Sequence, residues 1–414
     1  MCVTKRTTKG SWLMTVVTQI LDQMPSIAQP QRKFLSAFFA TLLVVRGRAN
    51  FLNLARHSAL AEKTYRRQYR RAFDFLAFNQ RAIAQAVAPA ATTLFAQDAT
   101  FAPKSGKQTY GLDRFWNGCA SRVERGLEVS VIALLDVARQ CAYPLSAQQT
   151  CASGDHRTEA GETRIDDYLR HLRETAPAFP PHVQTGVFDG FYAKRKFIDG
   201  VCALGFTAIS KLRLDANLRH LYKGPQTGRG RPKRFDGKVE VADLSRFTVV
   251  KTTVASITLY TAIVNHVTLK RDVRLVVVVN SREADKVRYA LLFATATELT
   301  ATDIYRYYKA RFHLEFVFRD AKQFAGFTDC QARDQAALHF HFNAALATVN
   351  LTRLTAQEQH HEPTAHVFSM ASWKQRACNE HWLNLIISKL ALDPMRVKSH
   401  PQYEYLRNYG VIAA

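Results

Sequence analysis

At Pro89 the hydrophobic pattern of the chain changes its period, and that change limits the fold more than any other feature. Before it, apolar residues recur at helical spacing in Trp12 to Met24 and again in Gln31 to Val45. After it, Thr93 to Gln97 is a short apolar run ending in Asp98. Leu127 to Leu135 is apolar and β-branched and ends in Asp136, and Tyr143 to Gln149 alternates. Arg164 to Thr175 has helical spacing, followed by a turn with Pro177, Pro180 and Pro181. Val183 to Phe188 reads as a strand delivering Asp189, Tyr192 to Leu204 as a helix, and Phe206 to Leu212 as a further strand. Strands that precede the first crossover helix, with strands and helices alternating afterwards, predict an α/β fold with a mixed sheet.

Between Lys223 and Glu298 the composition shifts again. A cationic run, Gly228-Arg229-Gly230-Arg231-Pro232-Lys233-Arg234, opens the segment. Strand patterns follow at Phe247 to Thr253, Ile257 to Val264, Leu275 to Asn280 and Arg288 to Thr295. The run around Arg229 and Arg231 suits a basic linker and also resembles hooks that enter the minor groove of AT-rich DNA. Beyond it, Gln331 to Thr355 reads as a long helix apolar on one side, and Ser372 to Leu392 as another. The expected organisation is a helical region over 1–90, a core over 91–222 and 299–350, a β-rich insertion over 223–298 and a helical region over 351–414.

The formal charge of +23 on 414 residues calls for a large polyanionic partner, and nucleic acid is the simplest one. An anionic membrane fits less well. The most apolar run, Phe34 to Val45, is shorter than the roughly 20 residues of a spanning helix. Seven scattered cysteines with no CxxC pair argue against disulfide scaffolding and a structural zinc site. His339 and His341, and likewise His360 and His361, lack the partners a zinc site needs and read as core and surface histidines. Arg46 to Arg71 holds eight basic residues against one acid, Glu62. Two short helical patterns there suit a helix-turn-helix whose second helix offers Lys63, Tyr65, Arg66, Arg67, Arg70 and Arg71 to DNA, and they suit a basic solvated bundle equally.

Tyr308, Arg311, Glu315 and Lys322 lie in a stretch, Thr302 to Phe324, that contains no Gly or Pro. On one continuous helix all four would fall within about 40° of Glu315, on one face. Alone, the stripe also describes a solvated helix with an Arg311–Glu315 i,i+4 pair. Cleaving a phosphodiester with two metals requires acids from separate elements that hold two cations about 4 Å apart. Asp98 and Asp189 at strand ends and Glu315 on a later helix could meet at one sheet edge; each aspartate is equally a plausible turn or cap residue.

At these residues the sequence resembles a known family, the DDE transposases of the bacterial insertion-sequence superfamily numbered four, marked by a Tyr, Arg, Glu, Lys signature. The resemblance includes Gln97-Asp98-Ala99-Thr100-Phe101 with Pro103-Lys104-Ser105-Gly106-Lys107 and Thr109-Tyr110-Gly111, and Phe188-Asp189-Gly190-Phe191-Tyr192-Ala193-Lys194. It continues from Tyr308 to Lys322 and into Gly326-Phe327-Thr328-Asp329-Cys330-Gln331, and it spans about residues 50 to 350. Gln97 and Ala99 flank a single Asp where the family more often has Asp-Asp-Thr. The resemblance implies a ribonuclease-H-like core, with Asp98, Asp189 and Glu315 binding two Mg²⁺ or Mn²⁺ ions. It implies that water nicks double-stranded DNA at a transposon end and that the freed 3′-OH then attacks DNA. Tyr308, Arg311 and Lys322 would touch phosphates near the cut, in a homodimer assembled on DNA. Some relatives stack a flipped base on a tryptophan of the insertion; here Trp12, Trp116, Trp373 and Trp382 lie outside it, so Tyr289 or Phe293 would substitute. The expected setting is the bacterial cytoplasm, at the nucleoid. A ribonuclease-H-like nuclease that only cuts, and a DNA-binding repressor derived from a transposase, are the competing expectations.

Overall fold

The computed structural model describes residues 12–150, 162–226, 228, 230–252, 254–283, 286–359 and 368–412. Five helices come first: α1 (Trp12–Asp22), α2 (Gln29–Val44), α3 (Phe51–Arg56), α4 (Glu62–Gln68) and α5 (Phe75–Ala86). Local chemistry sets their ends. The Asn50 side chain accepts from the Asn53 amide to start α3, and Asp74 accepts from Ala77 to start α5. Lys63, Arg66, Arg67 and Arg70 on or just after α4 are exposed as expected, but Tyr65 is buried and hydrogen-bonds Ser58. Tyr65 faces the interior because its ring packs edge-on against Phe34, and it is not part of a DNA-facing surface.

The sheet begins with β1 (Thr93–Pro103), β2 (Asp113–Asn117), β3 (Arg122–Asp136) and β4 (Cys141–Gln149). Then come α6 (Arg164–Thr175), β5 (Thr185–Phe188), α7 (Arg195–Ala203) and β6 (Thr207–Leu212). β7 (Leu218–Leu221), β8 (Phe235–Lys238), β9 (Thr248–Lys251), β10 (Ile257–His266), β11 (Arg271–Glu283) and β12 (Lys286–Ala294) complete it. The β2, β7 and β8 strands have no counterpart among the sequence expectations. All twelve strands form one sheet, in the order β2-β3-β1-β5-β6-β12-β11-β10-β7-β8, with β4 on β3 and β9 on β10. β1, β5 and β6 are parallel to their neighbours in that group, whereas β3 and β12 flank them antiparallel. This mixed sheet with helices on both faces is a ribonuclease-H-like fold. The strands of 223–298 continue it through β12 pairing with β6.

Two cores line the sheet. On one face Phe95, Phe188, Tyr192 and Phe197 pack with α6 and α7. On the other, Ala96, Val131, Ile209 and Leu292 pack with α8 (Ala301–Ala310) and α9 (His313–Phe324). The predicted single helix across Thr302 to Phe324 is thus two. Around the junction the amides of Arg311, Phe312, Leu314 and Glu315 each bond to the carbonyl three residues back, at 3.0–3.3 Å. This tightened turn kinks the chain without a Gly or Pro to announce it.

α10 (Gln335–Gln359) sends Phe340, Ala344 and Leu351 into one core and Leu338, Phe342 and Leu346 into the other. It is buried nearly all round instead of on one side, as expected of a helix between two cores. α11 (Met370–Lys389), α12 (Pro394–Lys398) and α13 (Pro401–Arg407) follow. Asn343 of α10 pairs with the backbone of β4 as a strand would, accepting from Ala147 N at 3.0 Å and donating to its carbonyl at 2.9 Å. Asn343→Ala leaves two buried backbone groups without partners, each costing about 1–3 kcal/mol. A loss of about 3 kcal/mol in denaturant unfolding is expected, and an unchanged midpoint would show that the pair contributes nothing.

Candidate active site

The parallel register of β1 and β5 pairs Phe95 with Gly186, Ala96 with Val187 and Gln97 with Phe188. One step further come Asp98 and Asp189, abreast on strands about 4.8 Å apart. Gly186 is required there. A Cβ at that position would meet the rings of Phe95 and Phe188 at 2.4–2.5 Å. The structure corrects one detail: β1 runs on to Pro103, so Asp98 sits in mid-strand and not at the strand's end. Asp189 does follow the end of β5. Its carboxylate accepts from the Gly190 amide at 2.6 Å, and its carbonyl accepts from Ser210 Oγ at 2.9 Å. That short turn fixes where the carboxylate points.

Arg311, at the kink between α8 and α9, reaches both remaining acids. Its Nη1 lies 2.9 Å from Asp98 Oδ2 and its Nη2 2.9 Å from Glu315 Oε1. The guanidinium is only 13% exposed, against 44% for Glu315. Its carbon lies 5.9 Å from the Tyr308 ring centre, so Tyr308, Arg311 and Glu315 form one contiguous group. Lys322 follows Glu315 by seven residues on α9, half-buried, and burial lowers its pKa. Burial likewise raises that of Tyr308.

Burial pushes the Asp98 carboxyl up to about 6; Arg311 and the Ala99 amide oppose this, while Asp189 and Glu315 add to it. Mg²⁺ and Mn²⁺ take oxygen ligands, and three carboxylates supply them. With Arg311 between Asp98 and Glu315, however, no group of three acids among the described residues is close enough to share an ion. The donor chemistry fits a divalent cation, and the seat between those two acids is held by the guanidinium.

Beside Asp189 lies an open groove of about 600 Å³ lined by Phe191, Lys211, Arg213, Leu214 and Tyr289. Phe191 belongs to the motif around Asp189, but neither Lys211 nor Arg213 stood out in the sequence. The available signal was a Lys and an Arg spaced by two at the end of a strand pattern, which places both on one face. Tyr289 is exposed here, whereas Phe293 is fully buried under the sheet and has no surface on which a base could stack. Arg66 pairs with Glu62 at 2.6 Å and Arg70 lies 3.4 Å from Asp334, while Arg67 is exposed without such a pair among the described residues. Arg231 is exposed in the loop between β7 and β8, which lie six and seven strands from β1 in the sheet order; Arg229 and His360 and His361 lie outside the described residues.

Fold and site together define a DDE-type, transposase-like nuclease that acts on DNA. A family model for DDE superfamily endonucleases matches residues 23–263, more than half of the chain, and the protein belongs to that family. The matched stretch includes Asp98 and Asp189 and ends before α8. A comparison with curated proteins returns no match. No helix among the described residues is long and apolar enough to cross a membrane.

Because the folded Asp98 carboxyl titrates near 6 and an unfolded one near 3.8, its ionisation destabilises the fold as pH rises through that interval, and the full cost is present above it. Asp98→Asn is therefore expected to raise the melting temperature of the ion-free protein at about pH 8 and to leave it nearly unchanged at about pH 4. A thermal scan in chelator showing a lower melting temperature at the higher pH would contradict this account.

Proposed function

We propose that the protein is a DNA transposase that cuts at transposon ends and joins the freed 3′-OH to target DNA, with Asp98, Asp189 and Glu315 as its metal-binding acids. The observation that supports this best is the seating of Asp98 beside Asp189 on adjacent parallel strands, with Glu315 tied to Asp98 through Arg311. The chemistry that two Mg²⁺ or Mn²⁺ ions supply when bound is activation of water or a 3′-OH and stabilisation of the leaving oxygen. The chain provides the rest. Asp189, fixed by the Gly190 amide, and Asp98, fixed by its register, hold donor oxygens in place without relying on flexible loops.

Arg311 bridges two acids that would otherwise repel each other and offsets part of their charge. Released from them, it offers a planar fork that grips a phosphate through two bonds. Tyr308 beneath it and Lys322 along α9 extend the same phosphate-binding line. The open groove at Tyr289, next to Asp189, would admit a base displaced at a hairpin step. Exposed Arg66, Arg67, Arg70 and Arg231, and Arg229 of the basic run, would bind flanking duplex without regard to sequence, and assembly as a homodimer on DNA belongs to the same proposal.

Labelled transposon-end DNA with Mg²⁺ tests the proposal: strand transfer supports it, cleavage alone favours a simple nuclease, and binding alone favours a repressor. Asp189→Ala is expected to abolish cleavage in that assay while DNA affinity stays within about twofold; retained cutting removes Asp189 from the site. Arg311→Ala is expected to reduce end-complex formation and strand transfer about tenfold or more, with a smaller loss on random duplex. Equal losses on both DNAs would deny it a positioning role.

A further inference from the structure

Past the end of β1, the sheet narrows to a two-stranded ribbon. β1 pairs with β3 as far as Pro103 and Gly126; β2 takes over at Gly126 and pairs through Asn117 and Arg122. Gly126 has no room for a side chain, since a Cβ would lie 2.4–2.5 Å from the Phe101 ring and the Ala102 carbonyl. An isolated ribbon is marginal in water, so its two faces need separate explanations.

One face is satisfied internally. Asn117 and Arg122 both donate to Glu124, at 2.6 and 2.7 Å, and buried Phe115 lies under the Arg164 guanidinium. The other face is bare. Arg114 sits directly opposite Arg125, and Trp116 directly opposite Val123. Trp116 is 57% exposed and Val123 47%, and neither arginine makes an ion pair among the described residues. Like charges opposed across strands destabilise a ribbon, and so does an indole in water. Both become favourable against a polyanion that also offers flat apolar groups.

The direction of that face identifies the partner. β3 alternates without interruption from Asp136 to Arg122, so Arg125 and Val123 share the sheet face of Val131, which is the residue opposite Asp98. That is the face packed by α8 and α9. Cys119, in the ribbon's turn, is within electrostatic reach of Lys322 on α9. The six residue steps from Val131 to Arg125 span about 20 Å, on the order of six base pairs of duplex.

We propose that the ribbon formed by β2 and the start of β3 is a second DNA-binding element, in which Arg114 and Arg125 hold phosphates and Trp116 with Val123 packs against a sugar or base of the duplex leading into the cut site. The proposal rests on the DNA-cutting function above only in taking duplex DNA as the partner. Fluorescence anisotropy with a labelled duplex in chelator, across a salt series, tests it without any cleavage. Arg114→Gln with Arg125→Gln is expected to lower the slope of log affinity against log salt by about two, and Arg114→Lys with Arg125→Lys to preserve it. Trp116→Ala is expected to weaken binding roughly tenfold with an unchanged melting temperature. If the wild type binds and the Gln pair keeps its slope, the ribbon proposal falls and the transposase proposal stands. If the wild type does not bind duplex at all, both fall.

Discussion

Three residue pairs of parallel backbone, Phe95 to Gln97 against Gly186 to Phe188, carry the candidate site. Those pairs set two aspartates side by side where solution chemistry would keep them apart. The register is fixed from both sides of the sheet: aromatic rings crowd Gly186 on one face, and Ala96 and Val187 bury on the other. A slip of one residue would exchange the two faces, driving Asp98 into the aromatic cluster and Phe95 into the opposite core. The hydrophobic cores thus stabilise an electrostatically unfavourable arrangement, which is a common way for folds to sustain reactive sites.

Arg311 is the counterpart of that strain. It sits where α8 gives way to α9, so its backbone is set by a tight turn and its side chain spans two acids from different elements. A guanidinium in that place makes the ion-free site a closed electrostatic unit. The acids are not an open cage awaiting cations; the guanidinium offsets part of their charge, and any cation has to compete with it.

Much of this was legible in the sequence because the relevant signals are local. Strand and helix patterns from Thr93 to Leu212 gave the order of the core, and α6 has the predicted bounds. Asp98 and Asp189 were recognisable as acids following apolar runs. What was not legible depends on tertiary context. β2 is short, alternates weakly and exists only because β3 outruns β1; β7 and β8 are four residues each. The kink at Arg311 has no Gly or Pro behind it, so a continuous stripe was the natural expectation, and the true link between Arg311 and Asp98 spans 213 positions. Phe293 and Tyr289 have the same apolar character, and only their position in the folded sheet separates a core ring from a surface one.

The placement of α10 has a consequence for biosynthesis. Phe340 packs on Phe34, Phe38, Tyr69 and Phe75, rings that lie some three hundred residues earlier in the chain. As the chain leaves the ribosome, these helices therefore emerge with part of their aromatic cluster uncovered, and some three hundred further residues must follow before Phe340 seals it. During that interval the nascent chain presents sticky surface, the condition under which partly folded chains aggregate.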